Sequence, residues 1–303
     1  MPNTIAYNQA MTEELDKALV QRSVTGIFAD NNLRAKFVGA KTVLIPEVDT
    51  QGLGDYNRDT GFVSGTVTVA NTPYVLSMDR GRSFQVDAQD ADESGISDLM
   101  GKLMGEFVRT KVIPEMDAFV LSKLAGVAVT RSQTVTGTPA SQIFTMLSTA
   151  FNKVRDAAGF DEELVAFVDP TVLSALESSS DLQRQLVLND FKRGELTSKV
   201  KTLNGVPILP VSSARMKSAY TWYDGATEGQ EAGGFVPTGT AKSIGFLVMP
   251  KKAAMLVKKT ETVRNFTPAQ NLNADAWKSD YRVYYDVFTK NSYLPTIFAY
   301  TYG

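Results

Sequence analysis

The chain has 303 residues, a hydrophobic content of 43% and a formal net charge of −2, so it can bury a substantial core. It contains no cysteine, which excludes disulfides and thiolate metal sites. It also contains no histidine, which excludes imidazole acid–base catalysis and histidine-ligated zinc. The 31 basic residues are balanced by 33 acidic ones, without the basic excess typical of proteins that grip nucleic-acid phosphates.

Neither a secretory signal nor a membrane-spanning segment is predicted. The first residues show no basic region followed by an apolar core. The longest apolar stretch, residues 244–257, is interrupted by Pro250, Lys251 and Lys252. It is also shorter than the run of about 20 residues that a spanning helix needs.

Residues 1–40 are predicted to form an N-terminal arm. Leu15, Ala18 and Leu19 line one side of a short predicted helix over residues 12–20. Polar residues surround these positions, so we expect the arm to gain order only when it contacts another surface.

Residues 41–88 predict an extended β-hairpin. The outgoing strand begins near Val43 and contains Pro46, which suits an open sheet edge. A glycine-rich, charged tip spans residues 51–61, and the return strand is expected over residues 62–70. The alternating valines on one face of that strand are Val63, Val67 and Val69. Because an isolated hairpin is marginally stable in water, we expect this one to lie on a neighbouring molecule.

Six residues in or next to this hairpin are candidates for contacts between subunits. Three of them are arginines close in sequence to carboxylates, and bidentate arginine–carboxylate contacts can fix the register of two proteins. The alternative is local solvation or an ion pair within the chain, which contributes little at a surface. The six candidates are Asp55, Tyr56, Arg58, Asp59, Arg80 and Arg82.

A long amphipathic helix is predicted next. Asp90, with Glu93 three residues later, fits a capping box at its start. Apolar residues recur at helical spacing beyond it, and Pro114 is expected to kink or split the helix. The carboxylates of residues 90–98 also match part of a calcium loop, but Gly101 stands where the bidentate glutamate is required. Helix capping is therefore the preferred interpretation.

The rest of the chain predicts a compact α/β unit followed by a β-rich end. A helix is expected to begin after Thr138 and to stop at Gly159, and a shorter helix is expected to be capped by Asp169. Residues 178–203 are predicted to be a polar, mobile segment, and residues 225–239 a surface loop. The predicted strands are 164–168, 206–211, 219–223, 244–249, 253–258, 260–266, 281–289 and 293–300. The strand at 281–289 is aromatic or apolar on both faces, so we expect it to be covered on both.

Six runs stand out when they are taken together in chain order. They are residues 50–59 (TQGLGDYNRD), 78–84 (MDRGRSF), 90–94 (DADES), 105–115 (GEFVRTKVIPE), 204–208 (NGVPI) and 276–286 (AWKSDYRVYYD). In this order they resemble the major capsid proteins of tailed bacteriophages, which have the Hong Kong 97-type shell fold. The resemblance rests on the collinearity of the runs, because none of them alone is a sharp chemical motif.

The resemblance implies an α+β fold with an N-terminal arm, an extended β-hairpin loop, a long spine helix, a peripheral β domain and an axial α/β domain. The corresponding ranges are 1–40 for the arm, 41–88 for the loop, 89–137 for the spine helix and the start of the peripheral domain, 138–245 for the axial domain and 246–303 for the return of the peripheral domain. It implies a structural protein, not an enzyme, that self-assembles into pentamers and hexamers and closes an icosahedral head shell around phage genomic DNA.

Partners and location are implied by the same resemblance. The partners are further copies of the chain, a scaffolding protein, a portal, in some relatives a cement protein, and double-stranded DNA enclosed non-specifically. No membrane, cofactor or metal is implied. Assembly would take place in the host bacterial cytoplasm, and the product would be the capsid of a virion.

Two features distinguish the chain from some members of that family. Some relatives join a lysine of the loop covalently to an asparagine of a neighbour, but no lysine lies between Thr42 and Asp79. We therefore expect a non-covalent shell. Other relatives begin with a long helical scaffolding segment, for which residues 1–40 are too short, so we expect a separate scaffolding protein.

Two other functions stay open at the level of sequence. An encapsulin-like nanocompartment would share the implied fold and enclose an enzyme as cargo. A carboxylate-based hydrolase is the remote alternative, and the lack of histidine and of a nucleophile motif weighs against it.

Overall fold

The computed structural model describes residues 23–29, 36–38, 41–93, 99–135, 139–179, 187–193 and 196–303. The helix predicted at residues 12–20 lies outside these described residues. The chain divides into two compact units, a smaller one of Asn32–Ser77 and a larger one of Met1–Asn31 together with Met78–Gly303.

Both helices and strands are well represented in the described residues. The α-helices are α1 (Ala88–Glu93), α2 (Leu99–Phe107), α3 (Ile113–Thr130), α4 (Pro139–Ala158) and α5 (Pro170–Ser178). The strands are β1 (Lys36–Val38), β2 (Thr42–Thr50), β3 (Val67–Val75), β4 (Met78–Asp87), β5 (Leu164–Val168), β6 (Val187–Arg193), β7 (Leu196–Leu203), β8 (Val206–Pro210), β9 (Tyr220–Trp222), β10 (Phe235–Pro237), β11 (Ser243–Pro250), β12 (Ala254–Phe266), β13 (Ala276–Thr289) and β14 (Phe298–Tyr302). Short 3-10 helices span Thr25–Phe28, Ser213–Arg215, Pro268–Gln270 and Asn291–Thr296.

The smaller unit is a three-stranded antiparallel sheet in the order β1-β2-β3. The pairing of β2 with β3 runs from Thr42 opposite Val75 to Thr50 opposite Val67. The return strand predicted at residues 62–70 is therefore wrong in position, and the tip is longer than predicted. The ladder ends next to Thr66, whose N–H donates to the side chain of Gln51 at 3.1 Å.

The expected edge position of Pro46 is wrong, because Pro46 belongs to β2, the middle strand of its sheet. The described pairing of β2 with β1 runs from Thr42 to Leu44. On its other side β2 pairs with β3 along its whole length, and Pro46 stands opposite Asn71. Pairing with a distant strand therefore decides the position of this segment against the local preference of proline.

The larger unit contains a mixed six-stranded sheet in the order β14-β11-β5-β8-β7-β6. Val165 and Phe167 of β5 enter the hydrophobic core that contains α3, whereas Ala166 and Val168 enter the core that contains α4. This alternation explains why β5 is a continuous apolar run, since a strand covered on both faces has no polar side. The sheet takes strands from both the 138–245 and the 246–303 ranges, so the two predicted domains share it, and their boundary stays a prediction.

A second, antiparallel sheet in the order β12-β13-β4 packs against α3. Its middle strand buries Tyr281, Val283 and Tyr285 on one face and Tyr284 and Phe288 on the other. The prediction that this strand is covered on both faces is therefore confirmed. The two strands predicted at 253–258 and 260–266 are one strand, β12, whose register shifts between Lys258 and Thr260.

The long helix is interrupted immediately before Pro114, as predicted. Between α2 and α3 the backbone forms a π-helical turn over Val108–Val112, and the N–H of Ile113 donates to the carbonyl of Val108. Pro114 stands in the first turn of α3, where its missing N–H leaves the fewest hydrogen bonds unmade. A π-turn of this kind often marks a functional site.

The predicted cap at Asp90 is wrong. Helix α1 already begins at Ala88, and the side chain of Asp87 accepts a hydrogen bond from the N–H of Gln89. Asp87 and Asp90 are equally good N-cap residues. The helix begins after Asp87 because strand β4 ends there, with Asp87 paired to Ala276.

Two further segments differ from the prediction. Residues 178–203 are not a connection without regular structure, because β6 and β7 form an antiparallel hairpin that joins the six-stranded sheet. Residues 293–300 are not one strand, because a 3-10 helix with Pro295 inside it precedes β14. In the first case, pairing with distant strands overrides the polar local sequence. In the second, Pro295 has no N–H to donate to a neighbouring strand, so the segment does not continue as a strand.

Candidate intersubunit surfaces

The tip of the hairpin between β2 and β3 is a defined turn. The backbones of Asn57 and Gly61 exchange two hydrogen bonds of 3.2 and 2.8 Å, and the Asn57 side chain accepts one from the N–H of Asp59. Gly61 has a φ of +83°, which glycine adopts without strain. The rings of Tyr56 and Phe62 lie 4.9 Å apart and close the turn from both sides.

Apolar side chains are exposed along this hairpin. Val67 and Val69 leave 66% and 67% of their surfaces accessible, and Phe62 leaves 89% accessible. The other exposed apolar side chains of the hairpin are Val48, Leu53, Tyr56, Val63 and Val75. A run of exposed apolar side chains is typical of a surface that binds another protein.

The charged candidates of the tip are also exposed. Asp55, Arg58 and Asp59 lie on the surface, and none of them forms an ion pair with any residue that the structure describes. Together with Tyr56 they belong to the smaller unit, whereas Arg80 and the sixth candidate, Arg82, belong to the larger one.

The strands below the tip are held in register by a polar cluster. The carboxylate of Glu47 on β2 accepts hydrogen bonds from the hydroxyls of Thr72 at 3.0 Å and Tyr74 at 3.3 Å on β3. Burial, followed by the negative charge of Glu47, raises the pKa of Tyr74 to about 12, so the hydroxyl stays a donor at neutral pH. Such cross-strand bonds oppose a slip of one residue, which would move every side chain to the opposite face.

The motif Asp79-Arg80-Gly81-Arg82 lies on β4. Arg80 points toward α3, where its Nε lies 2.6 Å from the carboxylate of Glu115 and a second nitrogen lies 3.3 Å from it. Asp79 instead pairs with Arg282 of β13 at 2.6 Å. The intrachain alternative therefore accounts for these two charges in the single protomer.

Glycine is required between the two arginines. A Cβ at Gly81 would lie 2.8 Å from the backbone oxygen of Tyr281 on the facing strand, which is closer than real contacts allow. The close approach of β4 to β13 puts Arg80 and Arg82 on one face and leaves no room for a side chain between them.

Arg82 contacts a different part of the chain. One of its terminal nitrogens donates to the backbone oxygen of Glu231 at 3.0 Å, in the loop that joins β9 to β10. Gly225 of that loop has a φ of +77°, and a Cβ there would lie 2.8 Å from Arg82 Nη1. Arg80, Arg82 and this loop thus all line one cleft in the larger unit.

A buried anchor near the N-terminus is not suggested by the sequence. Asp117 of α3 is fully buried and accepts hydrogen bonds from the hydroxyls of Ser23 and Thr25 and from the N–H groups of Val24 and Thr25. Arg215 adds an ion pair at 3.1 Å. Residues 23–28 fall in the range assigned to the arm, yet the structure buries them in the core. The sequence signal is the position of Asp117, which lies four residues after Ile113 and four before Leu121 on the apolar side of α3.

Two classes of site were also sought in the described part of the chain. No helix there is both long and apolar enough to cross a membrane. No group of three or more acidic side chains there is arranged to hold a metal ion.

Comparison with solved structures gives the fold. The capsid structure of cyanophage P-SCSP1u matches with a TM-score of 0.56 and 13% identity over 88% of this chain and 85% of that one. The mature capsid of bacteriophage PhiM1 matches with a TM-score of 0.53 and 16% identity over 86% of this chain and 82% of that one. The SrpI encapsulin complex of Synechococcus elongatus PCC 7942 matches with a TM-score of 0.54 and 12% identity over 88% and 83%.

The chain has the Hong Kong 97-type shell fold. This confirms the fold class that the six sequence runs implied. No protein-family model matches the chain, and no curated protein is significantly similar to it in sequence. The shell fold is therefore recognised from the collinear runs and from the coordinates.

Proposed function

We propose that the chain is the major capsid protein of a tailed phage, which self-assembles into pentamers and hexamers and closes an icosahedral shell around double-stranded DNA. The observation that carries the proposal is the exposed apolar surface of the hairpin. Val67, Val69 and Phe62 are mostly exposed among the described residues, and burial of one such side chain is worth about 1.5–3 kcal/mol. Covering them with a second copy gives self-association a driving force.

The charged tip adds specificity to this proposal. Asp55, Arg58, Asp59 and Tyr56 are exposed beside the apolar surface, where pairing with a neighbouring copy would fix the register of the contact. We confine the intersubunit role to these four candidates. Arg80 and Arg82 have partners within the chain, and their side chains belong to the cleft.

Partners other than the chain itself follow from the same proposal. A shell that fills with DNA needs a scaffolding protein and a portal, and a cement protein joins some shells of this kind. The net charge of −2 suits a wall that encloses DNA without binding it tightly.

The lack of lysine between Thr42 and Asp79 supports a shell without covalent links through the hairpin. Assembly would occur in the bacterial cytoplasm, and the product would be a virion capsid.

A nanocompartment is the second candidate function. The match to the SrpI encapsulin complex covers as much of the chain as the matches to the P-SCSP1u and PhiM1 capsids, with a similar TM-score, so the fold alone does not exclude this function. The two functions differ in what the shell contains, which is DNA in one case and protein in the other.

One experiment tests both candidates. The chain is expressed alone and with its neighbouring genes, and the products are separated by size and imaged by electron microscopy. Closed shells that contain nuclease-protected DNA support the capsid function, whereas shells that contain an enzyme support the nanocompartment. A chain that stays monomeric in every combination contradicts both.

A further inference from the structure

A cleft of about 300 Å³ lies between β4, the π-helical turn and the loop that joins β9 to β10. Its floor is apolar and aromatic, because Phe84 and Phe107 line it with their rings 4.8 Å apart in an edge-to-face arrangement. The volume falls at the lower end of the range of about 300–1,000 Å³ found for small-molecule sites. The π-turn contributes Lys111 to the rim, directly after the helical turn that carries Phe107.

The charges of the cleft are unbalanced. Arg80 is neutralised by Glu115. Among the described residues, the one acceptor for Arg82 is a backbone oxygen, and Lys111 forms no ion pair. The remaining acid, Asp224, directs its carboxylate at Thr227 and at the N–H groups of its own loop. Three cationic and two anionic side chains line the cleft, which leaves one net positive charge.

The arginine side of the cleft is set before any ligand arrives. Arg82 is held by the carbonyl of Glu231 and lies in the space that Gly225 leaves open. Gly81 allows β4 to approach β13, which sets the direction of both arginines. A site that needs no rearrangement loses less entropy on binding.

We propose that this cleft binds a small aromatic carboxylic acid. The ring would lie against Phe84 and Phe107, and the carboxylate would take the free donors of Arg82 and the ammonium of Lys111. The single net charge matches a monoanion, and the carboxylates of Glu115 and Asp224 on the same walls disfavour a doubly charged phosphate. Shell building does not require such a ligand, so the inference goes beyond the proposed function.

Calorimetric titration of the purified chain with phenylacetate tests the site. Acetate lacks the ring and 2-phenylethanol lacks the charge, so both should bind at least about tenfold more weakly than phenylacetate. Arg82→Gln and Lys111→Gln should each weaken phenylacetate binding by about tenfold, because each removes one charge-assisted contact. Arg264→Gln is the matched control, since Arg264 is an exposed strand arginine that does not line the cleft, and it should bind as the unaltered chain does.

The proposal is overturned by any of three results. These are the absence of saturable phenylacetate binding, equal affinity for acetate, and unchanged affinity in Arg82→Gln. A structure of the assembled shell with the cleft filled by a neighbouring copy would also overturn it. Electron microscopy of the same samples reports shell formation independently, so loss of the ligand site is distinguishable from loss of the shell.

Discussion

Arg80 Nε lies 2.6 Å from Glu115 Oε1, so the strand that follows the hairpin, β4, is tied to the first turn of α3. Both side chains are mostly buried, with 23% and 14% of their surfaces accessible. The guanidinium also reaches the backbone oxygen of Gly234 at 3.4 Å. One arginine thereby joins β4, α3 and the loop that lines the cleft.

Removing Arg80 should destabilise the protomer itself. Arg80→Ala leaves the carboxylate of Glu115 partly buried without its partner, and we expect a loss of ~1–3 kcal/mol in the free energy of unfolding. A double-mutant cycle with Glu115→Ala, measured by urea unfolding, isolates the pair. The Arg109–Glu106 pair is a matched control, because 52% and 57% of its side-chain surfaces are accessible, and its coupling should be clearly weaker than that of the Arg80–Glu115 pair. Equal couplings for the two pairs would refute this account.

Asp117 should contribute more to the stability of the protomer than an exposed carboxylate does. Asp117→Ala leaves two buried hydroxyls, two backbone N–H groups and the guanidinium of Arg215 without their acceptor. We expect a loss of ~3–5 kcal/mol in unfolding free energy and faster hydrogen exchange at Val24 and Thr25. Asp156→Ala, at an exposed aspartate of α4, should change stability by less than about 0.5 kcal/mol. Unchanged exchange at Val24 and Thr25 in Asp117→Ala would show that the anchor does not hold this segment.

Replacing glycine by alanine should lower the stability of the protein at Gly81 and raise it at Gly105. Gly81→Ala places a Cβ 2.8 Å from the backbone oxygen of Tyr281, so we expect a loss of ~1–3 kcal/mol as the strands separate. Gly105→Ala, within α2, meets no atom within 4 Å and should gain about 0.5–1 kcal/mol from helix propensity. Thermal unfolding of both variants checks the signs. A neutral Gly81→Ala would mean that β4 and β13 can move apart at no cost.

The sequence predicts the elements whose signal is local and misses those that depend on distant partners. The stop at Gly159 and the cap at Asp169 follow from backbone freedom and side-chain hydrogen bonding within a few residues, and both are found. The β6–β7 hairpin is missed because its pairing depends on β8 and on the six-stranded sheet. In the candidate site, the exposure of the tip is predictable from its glycines and charges. The partner of Arg80 is not, since Glu115 lies 35 residues away.

Alkaline pH should destabilise the fold through its buried tyrosines. Burial is the largest cause that raises the pKa of Tyr285, Tyr284 and Tyr300 above the usual value of 10.0. Because each pKa is higher in the folded state, the stabilisation is fully present below about pH 10 and is lost as the pH rises further. Spectrophotometric titration should show several of the 11 tyrosines ionising later in the folded chain than in the denatured one. Superimposable titrations of the two states would contradict this, and Tyr285→Phe should reduce the late fraction.

The exposed valines of the hairpin should be needed for assembly but not for the stability of the protomer. In Val67→Ser/Val69→Ser, polar side chains replace two that are exposed in the protomer, so its unfolding free energy should change by less than about 0.5 kcal/mol. If a neighbouring copy covers these positions, each replacement weakens the contact by about 1.5–3 kcal/mol, or roughly tenfold or more in association constant. Light scattering and electron microscopy should then show few or no shells.

The matched control for the valines is Leu272→Ser. Leu272 is also an exposed apolar residue, but it lies in the larger unit, in the loop that leads into β13. We expect this variant to assemble as the unaltered chain does, which separates a specific loss at the hairpin from a general effect of lower surface hydrophobicity. If the double valine variant forms normal shells, the apolar surface of the hairpin does not drive assembly.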